Sequence, residues 1–312
     1  MLNNIALIIG VTLMYSTPLI FTALGGVVSE KSGVVNIGLE GMMVIGAFIA
    51  ATVGYYSGNP WLAFLAGGLA GAFFGLLHAI ASVSFSADQV VSGIAINFLG
   101  PGVALFLSRI FFNGATMTKS IDLDNKMPRL LNGIFHKDSF LYYILDNQYA
   151  TTYIAFILVF VIWYILKKTV LGLRLKAVGE HPAAADTLGI NVFKIRYLAV
   201  ITSGFLAGLG GATLSISVVS NFRPTLVSGQ GFIALAAMIF GKWKPVGAML
   251  ACLLFGLAQG LVVFLGQFQI QIPSQFLNML PYILTLIVLV AFVGKSVAPL
   301  ADGIPYEKEQ KH

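Results

Sequence analysis

Charge is what this sequence has least of. Only 10% of its 312 residues are Asp, Glu, Lys or Arg, against roughly 25% in a soluble domain. With 58% hydrophobic residues, there is too little polar surface to cover a water-soluble fold, which leaves lipid as the solvent. Cysteine is almost absent. The single one, Cys252, lies in an apolar run, so there is no disulfide framework and the residue reads as a small packing group. The four histidines, His78, His136, His181 and His312, are scattered without metal-ligand spacing. No metal site, cofactor or catalytic cluster is expected, which argues against an intramembrane enzyme. The short alternating segments of a β-barrel are also missing. The amino terminus lacks a basic stretch, and its apolar run from about Ile5 to Val28 is too long for a cleavable signal. It reads as a first span. The net charge of +6 does not indicate nucleic acid, because the basic residues sit mostly in loops beside the membrane.

What is present is a series of apolar runs near 5–28, 36–56, 61–82, 90–112, 151–167, 197–218, 229–240, 245–266 and 277–293. A span needs about 20 mainly apolar residues, and in lipid its backbone must be satisfied within the segment, so the spans are helices. These runs predict an all-α fold, a polytopic membrane helix bundle of eight or nine spans forming one transmembrane domain over 1–312. The 229–240 run is too short to cross alone and reads as a half-helix or re-entrant piece. Most of the 18 Lys and Arg fall in the 167–196 segment, the 241–245 turn, the carboxyl-terminal tail and at Lys31, which makes that side cytoplasmic. The 113–150 loop then faces outward. The amino terminus is outside if all nine runs cross and inside if the seventh does not.

Three patterns bear on packing and function. Gly67, Gly71 and Gly75 form a doubled G-x-x-x-G stripe, and Gly204/Gly208 and Gly256/Gly260 form others, predicting close helix contacts. Gly100-Pro101-Gly102 falls inside the fourth run and predicts a break there, either a kink or a cavity wall, with Asn97 one turn before it. The stretch from Lys31 to Gly41 carries Glu40, the one acidic residue well inside an apolar run. A helix from Asn36 would put Asn36, Glu40 and Met43 on one face. A buried carboxylate is costly in lipid and faces a cavity or a partner, so Glu40 reads either as a pathway group or as a structural hydrogen-bonding one. The lead-in Ser228-Gly229-Gln230-Gly231 to the short seventh run is similar in outline to the start of the second, as paired interrupted segments in two halves would be.

On the basic side, Gly172 to Ile190 reads as a short interfacial helix, with Pro182 suited to a first helical position and Gly189 to the carboxyl-terminal cap. Such a helix is marginal alone and needs a surface to dock on, either the bundle or a partner. This segment, "GLRLKAVGEHPAAADTLGI", resembles the cytoplasmic coupling loop of ABC importer permeases of the branched-chain amino acid, simple sugar and nucleoside group. "GFIALAAMIFGKWKPVGAMLACLLFGL" is similar to the same group's late Gly-rich stretch. "EKSGVVNIGLEGMMVIGAF" with "SADQVVSGIAINFLG" resembles the general nucleoside uptake branch. The resemblance covers nearly the whole chain and keeps the motif order. It departs from the "GGIDLSVG"-like segment of ribose permeases, and shares the Asn but not the His of the "GMINFAHGE"-like segment of the amino acid branch.

The resemblance implies a permease that pairs with a second permease, sits on two ATP-binding subunits and receives a small polar solute, a nucleoside, from an extracytoplasmic binding protein. It implies that the loop bearing Gly179, Glu180, Pro182, Ala184, Asp186 and Gly189 couples to the ATPase. Motif position together with polarity marks Asn36, Glu40 and Asn97 as pathway groups. The chain has no ATP site of its own. Gly294-Lys295-Ser296 mimics the end of a P-loop, but Leu289 stands where its first glycine belongs and a membrane helix where its strand belongs. A secondary transporter driven by an ion gradient is the rival reading. Such carriers embed several ionisable groups, and here Glu40, with Asp88 at an edge, is all there is.

Overall fold

The computed structural model describes residues 2–131, 133–136, 139–267, 279, 283, 287 and 297–308. The ninth predicted span, 277–293, lies outside these apart from three isolated positions, and so does the P-loop mimic. Ten α-helices are described: α1 (Leu2–Glu30), α2 (Leu39–Ser57), α3 (Pro60–Ala79), α4 (Gln89–Phe111), α5 (Ala150–Lys168), α6 (Val170–Glu180), α7 (Pro182–Thr187), α8 (Val192–Thr213), α9 (Gln230–Phe240) and α10 (Pro245–Gln267). Wider π turns extend α3 to Ser84 and α8 to Val219. Seven helical segments among the described residues are long and apolar enough to cross a membrane, and α9 is the one shorter apolar helix.

The glycine stripes set which helices touch. A Cβ at Gly71 would overlap the Gly204 carbonyl oxygen and lie 2.7 Å from Gly208 Cα. One at Gly75 would lie 2.8 Å from the Val200 carbonyl oxygen. The α3 and α8 stripes therefore face each other, antiparallel, at backbone distance, where dispersion does the work that the hydrophobic effect cannot do in lipid. Gly256 and Gly260 pack in the same way on Thr12 and Ser16 of α1. Phe21, Leu24, Leu206 and Phe255 are among the residues that fill the core between α1, α8 and α10.

These pairings fix the direction of the chain. Helix α1 runs antiparallel to α8 and α10, and its last residue, Glu30, accepts from Trp243 Nε1 at 2.5 Å. The amino terminus is thus at the end opposite the basic segments, the side expected if the seventh run crosses. Residues 297–308 return to the basic end, where Ala301 N donates to Gly179 O at 2.9 Å. At the other end, the 113–150 loop caps the bundle. Its Thr118 and Ile121 donate to the carbonyls of Phe222 and Ser220, just beyond α8.

The structure corrects two local expectations. Helix α4 runs unbroken through Pro101. Proline forfeits one backbone bond there without ending the helix, and Gly100 in the same turn lets the Gly41 backbone pack directly against it. The break lies instead at residues 31–38, which are non-helical, so Asn36 precedes α2 rather than lying on it.

Candidate functional site

Between α1 and α2 the chain turns at the basic end, where Gly33 adopts φ +84°, and then re-enters the bundle as extended backbone. Helix α2 starts only at Leu39, where Gly38 packs on Ile96 and Gly41 on Ile96 and Asn97 of α4. That is about a third of the way along α4. Bare peptide groups at this depth need partners, and side chains from three helices supply them. Ser29 Oγ donates to Val34 O at 2.7 Å, and Val35 N donates to Gln89 Oε1 at 2.7 Å. His78 Nε2 donates to Val35 O at 3.0 Å while its Nδ1 meets Ser92 Oγ at 2.8 Å. Because Val35 O can only accept, the Nε2 position carries the proton.

Asn97 closes the series. Its Nδ2 donates to Ile37 O at 2.9 Å, and its Oδ1 accepts from Gly41 N at 2.8 Å, one of the donors that the start of any helix leaves unpaired. Asn36 is fully buried. Its Nδ2 donates to Ser203 Oγ at 2.9 Å, while its Oδ1 has no partner among the described residues.

Glu40, in the first turn of α2, points the other way. Its two carboxylate oxygens accept from Gly229 N and Gly231 N, each at 2.7 Å. These N–H groups open α9, so Glu40 supplies the negative charge that a helix amino terminus favours. Only glycine fits on either side of the contact. Gly229 sits at φ +89°, and a Cβ at Gly231 would lie 2.6 Å from Glu40 Cα. The two interrupted segments that look alike in sequence thus start at one depth and meet at one carboxylate.

On the outer side of this junction lies a cavity of about 430 Å³, bounded by α1, the end of α8, residues 223–230 and α10. Its polar lining is Tyr15, Arg223, Thr225, Ser228, Gln230 and Gln259, and its apolar lining includes Leu214, Val218 and Ile233. The size lies within the ~300–1,000 Å³ of small-molecule sites. A phenol ring, two amides, a hydroxyl pair and one guanidinium can stack on and hydrogen-bond to a neutral polar heterocycle. Of the three residues singled out from sequence, Glu40 holds the helix that floors this cavity. Asn97 serves the backbone of the α2 lead-in, Asn36 ties that lead-in to Ser203 of α8, and neither lines the cavity. Tyr15, Gln230 and Gln259 escaped the sequence reading because each is a lone polar residue in or beside an apolar run, and the cavity draws on four separated segments.

At the basic end, α6 and α7 form two short helices with a corner at His181 rather than the single one expected. Pro182 is the first residue of α7, and Gly189, at φ +81°, follows its end. Glu180, Ala184 and Gly189 are exposed, and Pro182 and Asp186 half-buried. Asp186 pairs with Lys308 at 3.5 Å. Gly179 faces inward, against the Lys31 carbonyl.

Residues 8–293 match the family described as branched-chain amino acid transport system / permease component. The chain is 46% identical to a guanosine ABC transporter permease protein of Bacillus subtilis, covering 98% of each. It is 45% identical to a nucleoside ABC transporter permease protein of Lactococcus lactis, covering 99% of each. A putative glucose ABC transporter permease protein of Haloferax volcanii is 35% identical, over 81% of this chain and 76% of that one. No solved structure matches. Motif order, seven apolar spans and near full-length similarity converge, and the chain belongs to the branched-chain amino acid transport system permease component family, as a multi-pass protein of the bacterial cell membrane.

Proposed function

We propose that this chain is the permease subunit of an ATP-driven ABC importer for nucleosides, and that the cavity above Glu40 is where the nucleoside rests on its way inward. The observation that carries this reading is the cavity's composition at a helix discontinuity. Transporters place substrates where half-helices expose backbone dipoles at mid-membrane, and here Tyr15 offers a stacking face beside the amides of Gln230 and Gln259. The names of the Bacillus subtilis and Lactococcus lactis relatives support the nucleoside class.

The energy source is a separate ATP-binding subunit seated against α7 and the corner at His181. The exposed Glu180, Ala184 and Gly189 form the contact, with Pro182 and Asp186 setting its shape. Gly179, packed beneath, transmits movement to Lys31 and the start of the interrupted α2 segment. A second permease and an extracytoplasmic binding protein complete the importer.

The test is uptake of labelled guanosine or uridine in cells lacking this chain and in cells with it restored, with leucine, ribose and glucose as competitors and ATP-depleted cells as control. ATP-dependent uptake that needs the chain and is competed only by nucleosides is expected. Competition by a sugar would move the substrate to that class, and uptake that persists without ATP would favour an ion-coupled carrier.

A further inference from the structure

A second cavity, about 570 Å³, lies at the opposite, basic end of the bundle. It is built from the ends of α1, α5 and α6 and the start of α10, well apart from the cavity above Glu40. Four lysines line it, Lys31, Lys167, Lys176 and Lys244, together with Trp163 and Trp243. Helix α10 opens there at Pro245, so the Val246 and Gly247 N–H groups, which have no intrahelical acceptor, lie in its wall. Lys167 lies over the Trp163 ring at 5.3 Å. Burial pushes the Lys31 ammonium down from its ordinary range, as do the Lys176 and Lys244 charges, while Glu180 and Asp302 hold it up in part. Four like charges around one cavity repel one another, and an anion between them removes that cost.

The wall residues show which anion. Trp163 is partly exposed, as are Val246 and, further along α10, Leu250. The cavity therefore continues into an apolar face that in a membrane meets acyl chains. A basic pocket between spanning helices at the cytoplasmic surface, with tryptophan at its rim, suits a phosphate carried on a lipid. We propose that this cavity is a binding site for the phosphate headgroup of an anionic phospholipid of the inner leaflet, with Lys31, Lys167, Lys176 and Lys244 as its cationic wall. Lys31 belongs to the turn that leads into the α2 break, so an occupied site steadies the segment on which the α2–α9 junction hangs.

The chain has three tryptophans, and two line this cavity. In a Trp61→Phe background, the full chain is purified in neutral detergent and titrated with phosphatidylglycerol brominated on its acyl chains, or with brominated phosphatidylcholine. Quenching of Trp163 and Trp243 is followed. Saturable quenching at lower mole fraction of the anionic lipid is expected. Each ammonium near an anionic surface is worth about fivefold in affinity, so Lys167→Gln with Lys244→Gln lowers the preference about 30-fold. Both side chains are exposed, so their replacement opens no cavity in the core, and Lys167→Arg with Lys244→Arg, which keeps the charge over Trp163, restores the preference. Equal quenching by the two lipids, or a preference that survives the glutamine pair, overturns the proposal. Full loss of the preference in millimolar inorganic phosphate at constant ionic strength also overturns it, because the ligand would then be a free phosphate.

Discussion

Replacing Glu40 tests the junction of α2 and α9 most sharply. The carboxylate accepts two hydrogen bonds at 2.7 Å from the first N–H groups of α9. Hydrogen bonds to a charged group are worth about 1.5–3 kcal/mol each, and an anion at a helix amino terminus adds up to about 2 kcal/mol where it is partly buried. Glu40→Gln keeps one acceptor, now uncharged, and turns an amide N–H₂ toward the other N–H. Glu40→Asp keeps the charge but withdraws it by one methylene, about 1.5 Å, which stretches both bonds beyond useful length. A loss of about 3 kcal/mol is expected for either, or roughly 5–10 °C in unfolding temperature. Trp243, three residues beyond α9 and bonded to Glu30, provides the fluorescence signal. Nucleoside uptake should fall with both variants, since the floor of the cavity moves. Parental melting and parental uptake in both would refute the capping argument.

Further expectations follow from the same geometry. Gly71→Ala drives a methyl into the α8 backbone, an overpacking cost of about 1–3 kcal/mol, whereas Gly102→Ala meets nothing within 4 Å and gains up to about 1 kcal/mol of helix propensity. Thermal unfolding should move in opposite directions for the two. His78→Leu strands the buried Val35 carbonyl and should cost about 1–3 kcal/mol, lowering the unfolding temperature, while Asp88→Asn, at an exposed helix cap, should not. Burial raises the Asp302 carboxyl to about 7, against its hydrogen bond to Glu30 and the Arg196 charge. An acid whose folded value is raised loses stability as pH rises from its ordinary value through the raised one. Protection of 297–308 against hydrogen exchange, taken relative to the intrinsic rate at each pH, should therefore be lower at pH 8.5 than at pH 5.5, and Asp302→Asn should flatten that difference.

Long apolar runs made the spans legible in sequence. Each of the seven long segments starts and stops within a few residues of its predicted bounds, α8 excepted, which begins five residues early. The short 229–240 run was legible as a half-helix from its length alone. The Pro101 region misled because proline signals one lost bond, which a helix can forgo without ending. The break at 31–38 left a trace in Gly33, Asn36 and Gly38, but no local rule shows that Gln89, His78 and Asn97, all distant in sequence, satisfy an extended segment there. Glu40 was readable as a costly group in need of a partner. That its partner is the start of α9 is a tertiary fact, and so is the gathering of Tyr15, Gln230 and Gln259 around one cavity.

The account stands most directly on whether a nucleoside occupies that cavity. The native Cys252 is buried, so Gln259→Cys supplies one accessible thiol on the cavity wall. Its rate of modification by a membrane-impermeant thiol reagent would be measured in the assembled transporter, with and without saturating guanosine. The account predicts that guanosine slows the reaction while leucine does not. An unchanged rate under conditions where guanosine is transported would contradict it and place the pathway elsewhere in the bundle.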